Sequence, residues 1–191
     1  MKNFIRFLSA SVRIRTLLVS VCFINAAEGQ NTWTVLSVPD NPNEYTTSSF
    51  INDEEGWMLD NTTVLWHTTD GCATLDTIFT DKAFLKLDFV DPLIGYALDA
   101  AEAYKTTDGG FSWTTLVLPG SIINSLYFLN KDTGFISGSY SIYRTTDGGA
   151  SWITISPGYY GINFYDYFFL NDSVGIAVSG DYNYDYYYGT M

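Results

Sequence analysis

Polar and apolar positions change places every few residues along this 191-residue chain. The pattern is clearest from 122 to 155. Ile122 to Leu129 alternates loosely and runs into Asn130-Lys131-Asp132-Thr133, a turn-forming stretch. Gly134 to Gly138 reads as a second strand, Ser141 to Thr145 as a third and Ser151 to Ile155 as a fourth. Asp147-Gly148-Gly149 supplies the turn between the last two. Runs rich in Tyr, Phe, Ile and Thr, broken by turn residues about every 8–12 positions, specify short strands. No stretch after residue 29 sustains a helical period. The chain is expected to be all-β.

The strand pattern recurs at a fixed period, marked by two interleaved motifs. The first is a Thr-Thr-Asp-Gly-Gly cluster at Thr106 to Trp113 and Thr145 to Trp152, with an imperfect copy at His67 to Leu75. Its aspartates, Asp70, Asp108 and Asp147, lie 38 and 39 residues apart. The second motif is an aromatic residue, an aliphatic one, Asn or Asp, three further residues and Gly. It starts at Phe50, Phe89, Phe128 and Phe169. Its glycines, Gly56, Gly95, Gly134 and Gly175, are spaced 39, 39 and 41 apart and are expected in the repeated turns. A unit of about 40 residues built from four antiparallel strands is a blade of a β-propeller. The domain is expected over 30–191, with blades near 43–79, 83–118, 121–157 and 161–191, about four in all.

The residue types of the first motif suit a self-contained hairpin. An aspartate in a tight turn accepts hydrogen bonds from the N–H groups just after it. Gly109 and Gly110, like Gly148 and Gly149, supply the positive φ values such a turn needs, and Gly71 does so in the first copy. Thr68, Thr106 and Thr145 suit the incoming strand, and Trp113 and Trp152 offer large apolar faces at the start of the outgoing one. The motif resembles the Asp-box, or BNR repeat, with the pattern Ser/Thr-x-Asp-x-Gly-x-x-Trp/Phe. Thr106 to Trp113 and Thr145 to Trp152 fit it fully; the first copy has Cys72 and Leu75 where the second Gly and the Trp belong. The resemblance implies a hairpin joining the third and fourth strands of each blade. Asp-boxes occur in sialidases, sortilin-type receptors, xyloglucan-degrading enzymes and photosystem II stability/assembly factor-like proteins. Together with the second motif, residues 31–191 look most like the last group and its secreted bacterial relatives. That resemblance implies a protein-interaction or assembly scaffold, with a carbohydrate-active propeller as the alternative.

The N-terminus changes the picture of the mature chain. Lys2, Arg6, Arg13 and Arg15 precede an apolar run from Leu17 to Ile24, and small residues follow up to Gly29. Such a segment predicts a secretory signal peptide over 1–29, cleaved after Gly29 or Ala27. A lipoprotein signal ending at Cys22 fits less well, because Val21 is bulky. The run is too short for a membrane span of about 20 residues. After cleavage five bases face 20 acids, a net charge of −15. That surface repels phosphate backbones and anionic lipid, so neither a nucleic-acid partner nor membrane insertion is expected. Secretion to the periplasm, cell surface or medium is. One cysteine, Cys72, then remains; it can form no internal disulfide and has one histidine, His67, as a conceivable partner. It is expected to be a packed residue.

Candidate chemistry is sparse. A sialidase needs an arginine cluster to hold the substrate carboxylate, and the mature chain has Arg144 alone, where Lys105 stands one repeat earlier. His67 takes the same place in the first repeat and is expected on a strand surface. Most acids fall in repeated turns, whereas a catalytic residue breaks symmetry. Asp99, Glu102 and Asp166 are the unrepeated candidates for a two-carboxylate glycosidase, and nothing in the sequence pairs them. No catalytic residue, cofactor or metal is expected. Asp181 to Asp185 has the spacing of a calcium loop, but Tyr186 stands where that loop needs Gly. Nine of the 15 tyrosines lie from Tyr159 onward. Two readings stay open: the tyrosines pack between blades, or the 159–165 and 182–188 loops form the surface for a protein or glycan partner, around Tyr159, Tyr160, Tyr182, Tyr184 and Tyr186. Asn61 and Asn171 head glycosylation sequons, which matter in a eukaryotic secretory host.

The two ends carry pieces of the repeat. Trp33-Thr34-Val35-Leu36 matches Trp113-Thr114-Thr115-Leu116, so 33–38 is expected to be a fourth strand that completes the last blade of a ring. Tyr188 to Met191 aligns with Tyr104 to Thr107, one position before the motif's aspartate. Residues 31–191 are then either a four-bladed ring or the N-terminal part of a propeller of about six to eight blades. The stop in mid-motif favours the second.

Overall fold

The computed structural model describes residues 45–120, 123–138, 141–155, 162–171 and 174–181. Three four-stranded antiparallel sheets follow one another along the chain, each in sequence order. The first holds β1 (Tyr45–Phe50), β2 (Gly56–Asp60), β3 (Val64–Thr68) and β4 (Asp76–Phe79). The second holds β5 (Lys86–Phe89), β6 (Gly95–Leu98), β7 (Ala103–Thr106) and β8 (Thr114–Thr115). The third holds β9 (Ile123–Phe128), β10 (Gly134–Gly138), β11 (Ser141–Thr145) and β12 (Ile153–Ile155). A hairpin of β13 (Ile162–Asn171) and β14 (Val174–Asp181) comes last. The all-β expectation is met, and the described residues include no helix. Residues 1–44 and 182–191, and with them the expected signal segment, the strand expected at 33–38 and Tyr182, Tyr184 and Tyr186, lie outside the described residues, as do Tyr159 and Tyr160.

The second motif shapes the first hairpin of each sheet. Asn52 Oδ1 accepts from the N–H groups of Glu54 and Glu55, Asp91 Oδ1 from Leu93 and Ile94, and Asn130 Oδ1 from Asp132 and Thr133. The short polar side chain thus replaces backbone partners inside the turn. The glycine that ends the motif plays another part than expected. Gly56, Gly95 and Gly134 are the first residues of β2, β6 and β10, and their φ values are not left-handed. Each pairs across the ladder with the motif's own phenylalanine, as Gly175 does within the last hairpin. A Cβ built on Gly56, Gly95 or Gly134 would come within 2.3, 2.6 and 2.3 Å of the ring of Phe50, Phe89 or Phe128. Glycine is required there to leave room beneath a ring, not to make a turn.

Those rings also join the sheets. Phe89 of β5 stacks on Trp57 of β2 at 3.7 Å between centroids and 3° between planes. One repeat later Phe128 of β9 stacks on Tyr96 of β6 at 3.3 Å and 2°. Two main cores form around these contacts, one containing Trp57, Leu65, Leu87 and Phe89 and one containing Tyr96, Leu98, Leu126 and Phe128. The second strands β2, β6 and β10 are buried along their whole length. On β2 the second sheet covers Trp57 and Leu59, while Cys72 and Trp66 of its own sheet cover Met58. Polar links reinforce the joints. Phe89 N donates to Ser49 Oγ at 2.8 Å, Phe128 N donates to an Asp88 carboxylate oxygen, and Lys86 Nζ donates to Ser125 Oγ at 2.9 Å.

Replacing Gly95 by Ala is expected to lower stability by about 1–3 kcal/mol in urea unfolding, through overpacking against Phe89. In a Phe89→Ala background the same change should cost almost nothing. Equal costs in both backgrounds would show that the ring is not what excludes a side chain.

Candidate functional site

Each Thr-Asp turn is a closed hydrogen-bond circuit. In the second sheet buried Thr106 donates through Oγ1 to Asp108 Oδ1 at 2.7 Å and accepts from Gly110 N at 2.9 Å. Asp108 accepts from Ser112 N at 2.9 Å and from Ser112 Oγ at 2.5 Å. Thr145, Asp147, Gly149 and Ser151 repeat the circuit at 2.8, 2.9, 2.8 and 2.5 Å. The imperfect copy repeats it as well. Thr68 Oγ1 donates to Asp70, Cys72 N donates to Thr68 Oγ1, and Thr74 supplies both the N–H and the hydroxyl. The Asp-box pattern leaves the fourth partner, Thr74, Ser112 or Ser151, unspecified, although it falls four residues after each aspartate.

Backbone conformation explains the glycines. Gly71, Gly109, Gly110, Gly148 and Gly149 have positive φ, as does Cys72 at 71°. At Gly110 a Cβ would also meet Leu65 of the preceding sheet at 2.7 Å, and at Gly149 it would meet Leu116 at 3.0 Å. Cys72 instead packs its side chain against Met58. Burial, then the charge of Asp70, pushes its thiol up to about 11, so it is protonated at neutral pH. That agrees with a packing role and not a nucleophilic one.

The turns dock on their surroundings in a repeated way. Gly71 N donates to Glu54 O, Gly109 N to Leu93 O and Gly148 N to Asp132 O, at 2.8–2.9 Å. Each Thr-Asp turn therefore sits beside the first turn of its own sheet, on one common face. The preceding sheet reaches the same turns. Trp57 Nε1 donates to Gly109 O at 3.1 Å, and Lys105 Nζ donates to Gly148 O at 3.1 Å. Lys105 also lies 5.4 Å from the centre of the Tyr96 ring. His67, in the equivalent place, is half-buried, stacks on Trp57 at 4.6 Å and bonds Glu55 at 3.3 Å. It lies on a strand as expected, packed on residues of its own sheet and more covered than a plain surface position.

The opposite face carries Asp99 and Glu102. The structure pairs them, which the sequence did not reveal. Tyr104 OH lies 2.7 Å from Asp99 Oδ2 and 2.8 Å from Glu102 Oε2. Burial and then these two carboxylates raise the Tyr104 phenol far above its ordinary range. Asp99 also accepts from Ala101 N and Glu102 N at 2.7 Å each. It has a counterpart: buried Asp60 accepts from Thr62 and, at 3.2 Å, from Trp66 Nε1. Asp99 is thus a repeated turn residue and not a lone catalytic candidate. Asp166 lies on β13, opposite Val178. Among the described residues no group of three or more His, Cys, Asp or Glu side chains is placed to hold a metal ion.

Solved structures supply the context. YCF48 bound to a D1 peptide matches at 26% identity and a TM-score of 0.51, over 62% of this chain and 42% of that one. The GH74 enzyme of Niastella koreensis matches at 17% identity and a TM-score of 0.56, over 65% and 24%. The three sheets are β-propeller blades. The computationally designed Ika4 protein, at 15% identity and a TM-score of 0.54, matches over 76% of this chain and 89% of that one. This chain spans less than half of that YCF48 structure and about a quarter of the GH74 enzyme. No family model and no curated protein matches it.

Hydrogen bonds from Ser151, then Thr145, hold the Asp147 carboxyl down at about 2. Bonds from Thr74 lower Asp70, and at Asp108 bonds from Ser112 and Thr106 outweigh an opposing effect of burial. A carboxyl lowered on folding stabilises above its unfolded value, near 3.8, and loses that effect as pH falls through its folded value. Thermal stability is therefore expected to decline from about pH 4 towards pH 2, with a shallower decline in Asp147→Asn. Asp108→Ala should cost about 1–3 kcal/mol in urea unfolding through lost turn hydrogen bonds.

Proposed function

We propose that this chain belongs to a secreted Asp-box propeller that binds another protein without catalysing a reaction, as an assembly or stability scaffold. The observation that carries the reading is the likeness to YCF48, a propeller whose matched structure holds a D1 peptide. The use of the carboxylates supports it. Asp70, Asp108 and Asp147 are engaged in their own turns, and so are Asp60 and Asp99. Blades coupled face to face through Trp57–Phe89 and Tyr96–Phe128 give a stiff support on which turns can be varied. Secretion follows from the segment at 1–29, whose removal leaves an acidic chain.

The alternative is a carbohydrate-active propeller, favoured by the Asp99–Tyr104–Glu102 cluster. The GH74 likeness, at 17% identity, speaks for fold alone. One experiment separates the readings. The full chain is incubated with xyloglucan and assayed for new reducing ends, and in parallel probed on an array of extended peptides. Peptide binding with no new reducing ends is expected. Hydrolysis that disappears in Glu102→Gln would overturn the scaffold reading. N-terminal sequencing of the exported protein should begin at Gln30 or Glu28, and an uncut Met1 would remove the secretion assignment.

A further inference from the structure

The turn face of the second blade departs from its sisters. At the first turn, Asp53 and Glu54 in the first blade and Lys131 and Asp132 in the third are charged and exposed. The second blade has Pro92 and Leu93 there, with Leu93 58% exposed. At the Thr-Asp turn, the first and third blades carry exposed Ala73 and Ala150. The second carries Phe111, 74% exposed. These departures meet, since Gly109 N, two residues before Phe111, donates to Leu93 O at 2.9 Å. Three apolar residues thus share one pair of docked turns where both sister blades are polar or small.

Neither folding nor the repeat requires them. The turn hydrogen bonds of the second blade match those of the other two without help from these side chains. Single exposed apolar residues are ordinary. Val117, at 84% exposure, is one, and Phe79 is exposed at the matching place of the first blade. A cluster that breaks an otherwise kept symmetry calls for a partner. Charge indicates its chemistry. Around the cluster the turns of this face expose Asp53, Glu54, Asp70, Asp132 and Asp147, against one exposed base, Lys131.

We propose that Pro92, Leu93 and Phe111 form the docking point for an extended segment of a partner protein that carries large apolar side chains between lysines or arginines. The apolar side chains cover Leu93 and Phe111 and supply most of the affinity, while the basic ones meet the surrounding carboxylates and speed encounter. This inference rests on the protein-binding reading above and adds a place and a partner chemistry to it.

The test uses the full chain and a fluorescein-labelled peptide of leucine and phenylalanine alternating with lysine, read by anisotropy. Control peptides replace lysine by glutamate or the apolar residues by serine. The variant Leu93→Glu/Phe111→Ala installs residues the sister blades already carry, so its melting temperature should not change. Binding of the basic apolar peptide is expected to weaken by at least about tenfold in that variant, and to be unaffected in Val117→Ala. Affinity should also fall as salt rises. Undiminished binding in the double variant overturns the site while leaving protein binding intact. Preference for the glutamate or serine peptide overturns the partner chemistry. Concentration-dependent self-association that the double variant abolishes makes a second copy the occupant and overturns the proposal. Failure to bind any peptide overturns both this inference and the scaffold reading beneath it.

Discussion

In the second and third blades one phenylalanine does two jobs, and the arrangement of the blades follows from it. The ring of Phe89 lies over Gly95 in its own sheet and is stacked on Trp57 of the sheet before. Phe128 does the same with Gly134 and Tyr96. Because the ring fills the space above the glycine, its orientation is held inside its own blade before the neighbour arrives. The neighbour then meets a flat, prepared surface. Little conformational freedom is left to lose at the joint, so a single apolar contact can set the angle between sheets. The polar links around it, such as Trp57 Nε1 to Gly109 O, are satisfied once that angle is fixed.

Much of this was legible in the sequence, and the reason is repetition. The strands around Asp108 and Asp147 were placed by their recurring turn residues, and the Thr-Asp hairpins lie between third and fourth strands as the resemblance implied. The glycines of the second motif were located but misread. A glycine beside Asn or Asp looks like a turn residue, and only coordinates reveal that a ring across the ladder forbids a Cβ. Asp99 was misread in the opposite direction. It lies 39 residues after Asp60, but its hairpin is one residue shorter: Trp66 and Tyr104 follow their aspartates by six and five positions. The third blade has Gly138 at the equivalent place, so the aspartate recurs in only two of the three blades and does not stand out as a repeat. The pairing of Asp99 and Glu102 on Tyr104 is tertiary, and no periodicity carries it.

The candidate site was the least legible part. The tyrosines that composition points to, Tyr159, Tyr160, Tyr182, Tyr184 and Tyr186, lie outside the described residues. The feature that stands out in the described residues is a pair of turns where Leu93 and Phe111 replace charged and small counterparts. The sequence held that signal, as a difference between aligned blades. Motif spacing brings out what the repeats share, and this signal lies in what they do not share.

The joints between blades also have a direction. Trp57, Leu65 and Lys105 reach forward to the Thr-Asp turn of the next blade, and Tyr96 OH donates forward to Lys131 O at 2.7 Å. Each blade thus presents a plug on one side and a socket on the other, and the two differ. Head-to-tail couplings of this kind add units in series without new interfaces having to be invented. For a gene encoding such a chain, duplicating or deleting one stretch of about 40 residues changes the number of blades while every remaining joint keeps its parts.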